Sequence, residues 1–251
     1  MFLQPFKASD WLLPTVLSTT AGAVDVIGFL ALGGLFTAHI TGNLVVLAAH
    51  YVTGGFSEIG PLLSVPVFVI VLGIIMVLFP NKATRRTRRT LLLIHASLLV
   101  GFLVLGAGFG PFTDPDSGIA VSVGMIGVAA MATQNALVRL ELPGFPSTAV
   151  MTTNITQVTI DLALLARGKG DPTYLARARR GARLTFPSVA GFVAGCAAGG
   201  FLELHFGLGA LVLPVVLAAI AIPLGELVRE DVSETQLTTL PYSAVLVGEG
   251  R

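Results

Sequence analysis

The amino-acid sequence predicts an all-α polytopic membrane protein, with six transmembrane helices and two re-entrant half-helices in an inverted repeat. The composition is the first observation: of 251 residues, 54% are hydrophobic and 12% charged, and the mean hydropathy is +0.85. A soluble domain carries about 25% charged residues. The other two observations are a polar motif that occurs twice and the confinement of most basic residues to two loops.

Eight apolar segments follow one another along the chain, separated by turns that contain Gly and Pro. They are 11–33, 37–53, 61–80, 91–110, 118–138, 148–166, 184–203 and 208–228. A helix that crosses the hydrocarbon core needs about 20 apolar residues. Each segment is therefore a candidate crossing.

The positions of the basic residues conflict with eight crossings. Most of the fifteen basic residues fall in two loops, Lys82, Arg85, Arg86, Arg88 and Arg89 in the first and Arg167, Lys169, Arg177, Arg179, Arg180 and Arg183 in the second. Three apolar segments lie between the loops, and three crossings would put the loops on opposite sides of the membrane. Lys and Arg collect in cytoplasmic loops, so we expect both loops on the same side.

The conflict disappears if segments two and six enter and leave the membrane on the same side. Six crossings then remain, and all fifteen basic residues become cytoplasmic together with both termini. Each half makes three crossings, which inverts the second half relative to the first, as in many transporters. We expect a first repeat over 1–110, a second repeat over 111–230 and a flexible cytoplasmic tail over 231–251.

Segments two and six also carry the duplicated motif. The sequence TAHITGN at 37–43 matches TAVMTTN at 148–154 in four positions: Thr37/Thr148, Ala38/Ala149, Thr41/Thr152 and Asn43/Asn154. A helix from 43 to 53 is about 16 Å long, roughly half of a 30 Å core. Its free N–H groups and the positive end of its dipole would then face the bilayer centre.

We therefore expect the two motifs to meet at the centre of the bilayer. Thr41 and Thr152 are the candidate helix caps. The predicted substrate site is lined by residues of both motifs: Thr41, Gly42, Asn43, Thr152, Thr153 and Asn154.

Two carboxylates, Asp25 and Asp161, lie inside apolar segments. An ionisable group at that depth costs about 2.5–3.5 kcal/mol on insertion scales and usually marks a pathway, a relay or an ion pair. Asp161 shares one helical face with Asn154 and Gln157. We expect both carboxylates to be proton or ion relays. The alternative is a structural hydrogen bond to a neighbouring helix.

Other polar and small residues have two interpretations each. Gln134 and Asn135 either line the substrate pocket or join helices by hydrogen bonds. His39 and His50 are more simply explained by packing, because neither has a His or Cys partner at metal-ligand spacing; we expect no metal and no cofactor. A glycine stripe favours close helix packing, within the fold or across a homodimer: Gly191, Gly195, Gly199 and Gly200.

The residues also resemble a known family. AGAVD at 21–25 and GGLFTAHITGN at 33–43 are similar to the signature of the YoaK-type bacterial inner-membrane proteins, which are classed as a domain of unknown function. QNA at 134–136 and VMTTNITQ at 150–157 extend the resemblance over nearly the whole chain. Family members often repeat Thr-Gly-Asn in the second motif, where this chain has Thr153. The resemblance implies a bacterial inner-membrane protein and no particular activity.

These features favour a small-solute transporter or channel rather than an enzyme. Its partners would be a small polar or anionic solute and the lipid bilayer; the basic loops lack interleaved aromatic residues, so no nucleic acid is expected. A membrane scaffold without transport is the main alternative. A hydrolase, in which Asp25, Asp161 and His50 converge, is the lesser one. A transporter requires a polar cavity inside the membrane, whereas a scaffold would be packed there.

Overall fold

The computed structural model describes residues 9–54, 57–79, 84–142, 145–168 and 171–228, and all regular structure in these ranges is helical. The predicted tail at 231–251 lies outside the described residues. A 3₁₀ turn at Gly207–Leu211 separates the last two of the helices, which are α1 (Ser9–Ala31), α2 (Ile40–Thr53), α3 (Ile59–Leu78), α4 (Arg85–Phe109), α5 (Gly118–Glu141), α6 (Met151–Arg167), α7 (Pro172–Phe206) and α8 (Val212–Leu227).

The helices follow the apolar segments, and the two largest differences lie at basic residues. α4 begins at Arg85 rather than near 91, because the side chain of Thr84 accepts a hydrogen bond from the N–H of Thr87 and caps the helix. α7 begins at Pro172 rather than near 184, because Asp171 caps it in the same way. The basic residues expected in loops at 85–89 and 177–183 are therefore helical.

Five stretches are long and apolar enough to cross a membrane, namely Trp11–Ala31, Ile59–Leu78, Arg85–Phe109, Gly118–Glu141 and Pro172–Leu227. The last stretch contains both α7 and α8, between which the chain turns at Gly207 with a φ of 54°. α2 has 14 residues and α6 has 17, and neither belongs to this set. The prediction of a helical polytopic membrane protein is confirmed.

The glycine stripe of α7 packs within the fold, against α1. Gly191 lies against Thr15, Gly195 against Thr19 and Gly199 against Ala23, so the two helices run parallel. A Cβ at any of these glycines would meet α1 backbone atoms at less than 3 Å. The missing side chains permit this close approach, and the stripe is not available to a second copy of the chain.

The helix pairs that pack together are the same when the halves are exchanged. α1 packs on α7 and α8, whereas α5 packs on α3 and α4. α2 packs on α3, whereas α6 packs on α7, and α4 packs on α8. If α1–α4 are renamed α5–α8 and the reverse, this set of pairs is unchanged, with the α4–α8 pair becoming itself.

The described basic residues lie at one end of the bundle. Arg85, at the start of α4, forms an ion pair with Glu226 near the end of α8, and Arg88 donates to the carbonyl of Val228 at 2.9 Å. At the other end, Asp116 of the α4–α5 loop accepts hydrogen bonds from Ser57 Oγ at 2.7 Å and from the N–H of Ile59 at 2.9 Å. This carboxylate joins two loops and caps α3.

Candidate functional site

The chain leaves α1 and returns beside it after α2. The N–H of Ser57, after α2, donates to the carbonyl of Gly33, before α2, at 2.7 Å. Residues 34–39, the first approach segment, run back along α1 as far as Asp25, six residues or about 9 Å of helix from Ala31. α2 therefore begins inside the bundle and ends on the side from which the approach segment came.

Asp25 holds the end of the first approach segment. Its Oδ1 accepts from the N–H of Ala38 at 2.5 Å and from Thr37 Oγ1 at 3.2 Å, and its Oδ2 pairs with His39 Nδ1. The carboxylate is 2% exposed. His39, which the sequence analysis assigned to packing, is therefore the ionic partner of the predicted relay residue.

Asn43 fixes the same segment from the α2 side. Its Oδ1 accepts from the N–H of Phe36 at 2.8 Å, and its Nδ2 donates to the carbonyl of Phe36 and to Ser64 Oγ, both at 2.7 Å. The side chain is fully buried. It satisfies backbone groups of an irregular segment, which inside a membrane have no water to bond to.

The second half repeats these contacts around residues 145–150, the second approach segment. Gln134 Nε2 donates to Thr148 Oγ1 at 2.9 Å and to the carbonyl of Leu17 at 3.0 Å. Asn154 Nδ2 donates at 2.6 Å to the carbonyl of Ser147, seven residues before it, as Phe36 is seven residues before Asn43.

The backbone is also repeated. The residue before α2, His39, has φ −91° and ψ 68°, and the residue before α6, Val150, has φ −92° and ψ 85°. In both halves the motif threonine bonds to a long helix and the motif asparagine bonds to the approach segment. The shared residues thus build the same turn twice.

Thr41 and Thr152 are the second residues of their helices and are exposed. The prediction that they cap the helices is wrong, because α2 and α6 each begin one residue before the threonine and neither has a side-chain cap. Thr153 is likewise exposed, and Gly42 lies against the ring of Phe36. Asn135 donates to the carbonyl of Met131 in its own helix, at 2.9 Å.

The two motifs do not form one site in the described part of the chain. α2 packs along α3 and α6 along α7, and no extensive packing joins α2 to α6. Each motif asparagine bonds within its own half. The convergence needed for a hydrolase is also contradicted, because Asp25 pairs with His39, whereas His50 lies 3.9 Å from Glu58.

A cavity of about 710 Å³ lies between α6, α7 and the second approach segment. Three predicted site residues, Thr153, Asn154 and Asp161, line it together with Gln157. The opposite wall, on α7, contributes polar side chains that the sequence analysis did not select: Tyr174, Arg177 and Thr185. The three predicted residues that line this cavity all lie on α6.

Asp161 is the buried charge of this cavity. Its side chain is 5% exposed, and Oδ1 accepts from Gln157 Nε2 at 3.0 Å. Oδ2 is buried, lies against Gly181 of α7 and has no hydrogen-bond partner among the described residues. A buried polar atom without a partner is costly, so this oxygen is the natural acceptor for a solute, a cation or a proton.

The loop carboxylate Asp116 has a perturbed pKa. Partial burial alone would raise it, but hydrogen bonds from Ser57 and from the backbone of Ile59 and Glu58 hold the pKa below its ordinary value of 3.8. Bonds to the charged form stabilise that form. The ionised carboxylate is thus part of the contact between the loops.

Comparison with known proteins agrees with this membrane architecture. A family model described as "Protein of unknown function (DUF1275)" matches residues 13–224. The chain belongs to this family. It is also similar to the UPF0700 transmembrane protein YoaK of Bacillus subtilis (strain 168), with 60% identity over 35 residues, which is 14% of this chain and 16% of that protein. No solved structure matches. The resemblance to the YoaK-type family is confirmed.

Proposed function

We propose that this DUF1275 protein moves a small polar solute across the bacterial inner membrane and binds it in the cavity between α6 and α7. The observation that carries the proposal is the buried Asp161 carboxylate, whose Oδ2 lacks a partner while facing a cavity with other polar groups. A membrane scaffold has no use for such a group, because an unpaired ionisable residue in the membrane is expensive.

The charges of the cavity define the solute. Asp161 accepts hydrogen bonds or pairs with a positive group, and Arg177 on the facing wall donates or pairs with a negative group. No ion pair joins the two in the described residues, so both are available to a solute. A small molecule with donors at one end and acceptors or a negative charge at the other fits both.

An inverted repeat of six crossings and two re-entrant helices gives this site a route across the membrane. The exchange of helix pairs between the halves, the return of the chain beside Gly33 and the basic end of the bundle all support that arrangement. The basic end would be cytoplasmic, with both termini. The solute then enters the α6–α7 cavity from the cytoplasm or leaves from it, and Asp25 and Asp161 carry the accompanying proton or cation.

The test is ligand binding by the purified full-length protein. A solute at one hundred times its Kd stabilises the folded state by about 2.7 kcal/mol, so a thermal-unfolding screen of zwitterions, amines and anions will reveal it. We expect the stabilisation to disappear in Asp161→Asn and to weaken in Arg177→Gln. Asp114→Asn, in an exposed loop at the other end, is the matched control. Stabilisation that persists unchanged in both cavity variants would place the binding site elsewhere.

The bonds of Asn43 favour a second candidate function, that of a membrane scaffold. Both amide donors and one acceptor site of this buried side chain are used within the fold, as a scaffold requires. The two functions differ in uptake: Asp161→Asn in intact cells should abolish transport while membrane yield stays normal. A scaffold would show no uptake to lose.

A further inference from the structure

We propose that Asp25 and His39 together bind one exchangeable proton, and that this proton controls how firmly the first approach segment is attached to α1. The pair joins the penultimate turns of α1 to the residue that precedes α2. It is separate from the α6–α7 cavity, none of whose lining residues it includes.

The charge of the pair changes with a single proton. Imidazole is the side chain whose charge changes most readily near neutral pH, and Asp25 accepts the Ala38 and Thr37 hydrogen bonds. With the proton on His39 the pair is neutral overall. Without it the pair carries one negative charge on a carboxylate that is 2% exposed, where an uncompensated charge is costly. Deprotonation therefore weakens the attachment of the segment.

The imidazole connects the buried carboxylate to the exterior. The side chain of His39 is 34% exposed, against 3% for that of Asp25. Its Nδ1 faces Asp25, and within the described residues Nε2 has no hydrogen-bond partner. Nε2 is therefore the ring nitrogen at which the pair would exchange its proton.

The second half shows that holding the approach segment does not require charge. There the neutral amide of Gln134 bonds to Thr148, the counterpart of Thr37. Equivalent segments are thus attached by an ion pair in one half and by an uncharged side chain in the other. The Asp25–His39 pair therefore does more than hold the segment in place, because it can also bind a proton.

The surroundings of the pair contain few other titratable groups. The rings of Phe36 and Phe192 flank the imidazole, with centroids at 6.2 and 5.5 Å. On α7, the thiol of Cys196 is within electrostatic reach of Asp25. At the far end of α2, His50 and Glu58 lie near each other. Replacement of Cys196 by Ala therefore removes a nearby group that could confuse a titration.

The duplicated motif supplies a matched pair of probes. Thr41→Cys and Thr152→Cys, each in a Cys196→Ala background, place a thiol at equivalent exposed positions of α2 and α6. Both proteins are reconstituted in nanodiscs, which expose both faces, and their rates of reaction with a maleimide are measured from about pH 5 to about pH 8. The ratio of the two rates cancels the ordinary pH dependence of thiol reactivity.

We expect the ratio of the Thr41→Cys rate to the Thr152→Cys rate to rise at least about threefold as the pH rises and His39 loses its proton. The ratio should become independent of pH in His39→Gln and in Asp25→Asn. If Asp25→Asn fails to fold, His39→Gln still decides the test. The side chain of His39 is partly exposed, and glutamine is also polar, so this variant should fold. A flat ratio in the otherwise unchanged protein, or a rise that survives His39→Gln, overturns the proposal.

The proton site rests on the proposed transport function only in one respect, namely that the proton would be coupled to solute movement. Each of the two proposals can be disproved without the other. A normal pH response with no solute effect at Asp161 would remove the transport proposal and keep the proton site. Solute binding that depends on Asp161, together with a labelling ratio that does not change with pH, would keep the transport proposal and remove the proton site.

Discussion

The two approach segments have the same backbone and different charges. Residues 34–39 and 145–150 lead into α2 and α6 through nearly the same dihedral angles, and each is held by a motif threonine and a motif asparagine. Around them, the first half places the ionisable pair Asp25–His39 and the second half the neutral Gln134. Further along the short helices, His50 stands where the second half has Asp161.

The residues that are repeated in both halves are therefore not the residues that carry charge. The shared asparagines, Asn43 and Asn154, satisfy backbone groups of an irregular segment. The shared threonines, Thr37 and Thr148, bond to side chains of α1 and α5. What the halves do not share carries charge. The motif identifies the architecture, and the departures from it identify the candidate function.

Labelling of single cysteines gives the largest expected effect, because the outcome is all or none. Single cysteines would be introduced in a Cys196→Ala background. Thr53→Cys and Thr113→Cys place a thiol at the end of the bundle that contains Asp116, and Arg86→Cys and Thr173→Cys place one at the end that contains the basic residues. If the second half is inverted relative to the first, a membrane-impermeant thiol reagent added to intact cells should label the first two and spare the others. Labelling of Arg86→Cys but not Thr173→Cys would support eight crossings, and the two halves could then not be compared as inverted repeats.

Closing the α1–α7 contact should give the next largest effect. Gly195→Ala would drive a Cβ into the carbonyl of Thr19, whereas a Cβ at Gly73, on the equivalent helix α3, meets nothing within 4 Å. Overpacking of this kind costs about 1–3 kcal/mol. We expect a clear fall in the thermal unfolding midpoint for Gly195→Ala and almost none for Gly73→Ala. Equal effects would mean that α1 and α7 are not closely packed.

The motif asparagines should differ from each other. Asn43→Ala removes three hydrogen bonds and takes the side-chain partner from both backbone groups of Phe36, which should cost about 2–3 kcal/mol. Asn154→Ala removes one strong bond, to Ser147, at about 1 kcal/mol. Unfolding by heat or denaturant of the two variants side by side measures the difference. A larger loss for Asn154→Ala would show that the second motif contributes more than its contacts indicate.

Asp116→Asn should give the smallest effect, and one that depends on pH. Because hydrogen bonds hold the folded pKa below 3.8, the ionised carboxylate stabilises the protein above that pH, and its contribution is lost as the pH falls through the folded pKa. The stability difference between wild type and variant should therefore shrink as the pH falls below about 4. Since the carboxylate is partly exposed and screened, we expect less than about 1 kcal/mol.

Asp171→Asn is the comparison at the other end of the bundle. Asp171 caps α7 from the preceding residue, and hydrogen bonds from Thr173 lower its pKa as well. It joins no second loop, so its effect should be confined to the start of α7. A pH response for Asp171→Asn with none for Asp116→Asn would show that the contact between the loops is unimportant.

The helices were predictable because hydropathy alone decides where a membrane helix lies, and all eight apolar segments correspond to helices. The starts of α4 and α7 were missed because Thr84 and Asp171 act as caps upstream of the apolar residues. The asparagine bonds to Phe36 and Ser147 span seven residues through an irregular segment, a spacing that no helix or strand period indicates. The importance of His39 was missed for the same reason: it lies fourteen residues from Asp25, and only the turn of the chain brings them together.

Helix α7 runs past both candidate sites. Its Gly181 lies against Asp161, and the ring of its Phe192 lies against His39. Eleven residues of helix separate the two contacts, about 16 Å along the axis. Between them stands Pro187, which has no N–H to donate and makes an interior position of a helix the place where it bends. A change of angle at Pro187 would move the wall of the cavity relative to the Asp25–His39 pair. A bend in this one helix would therefore affect the solute site and the proton site together.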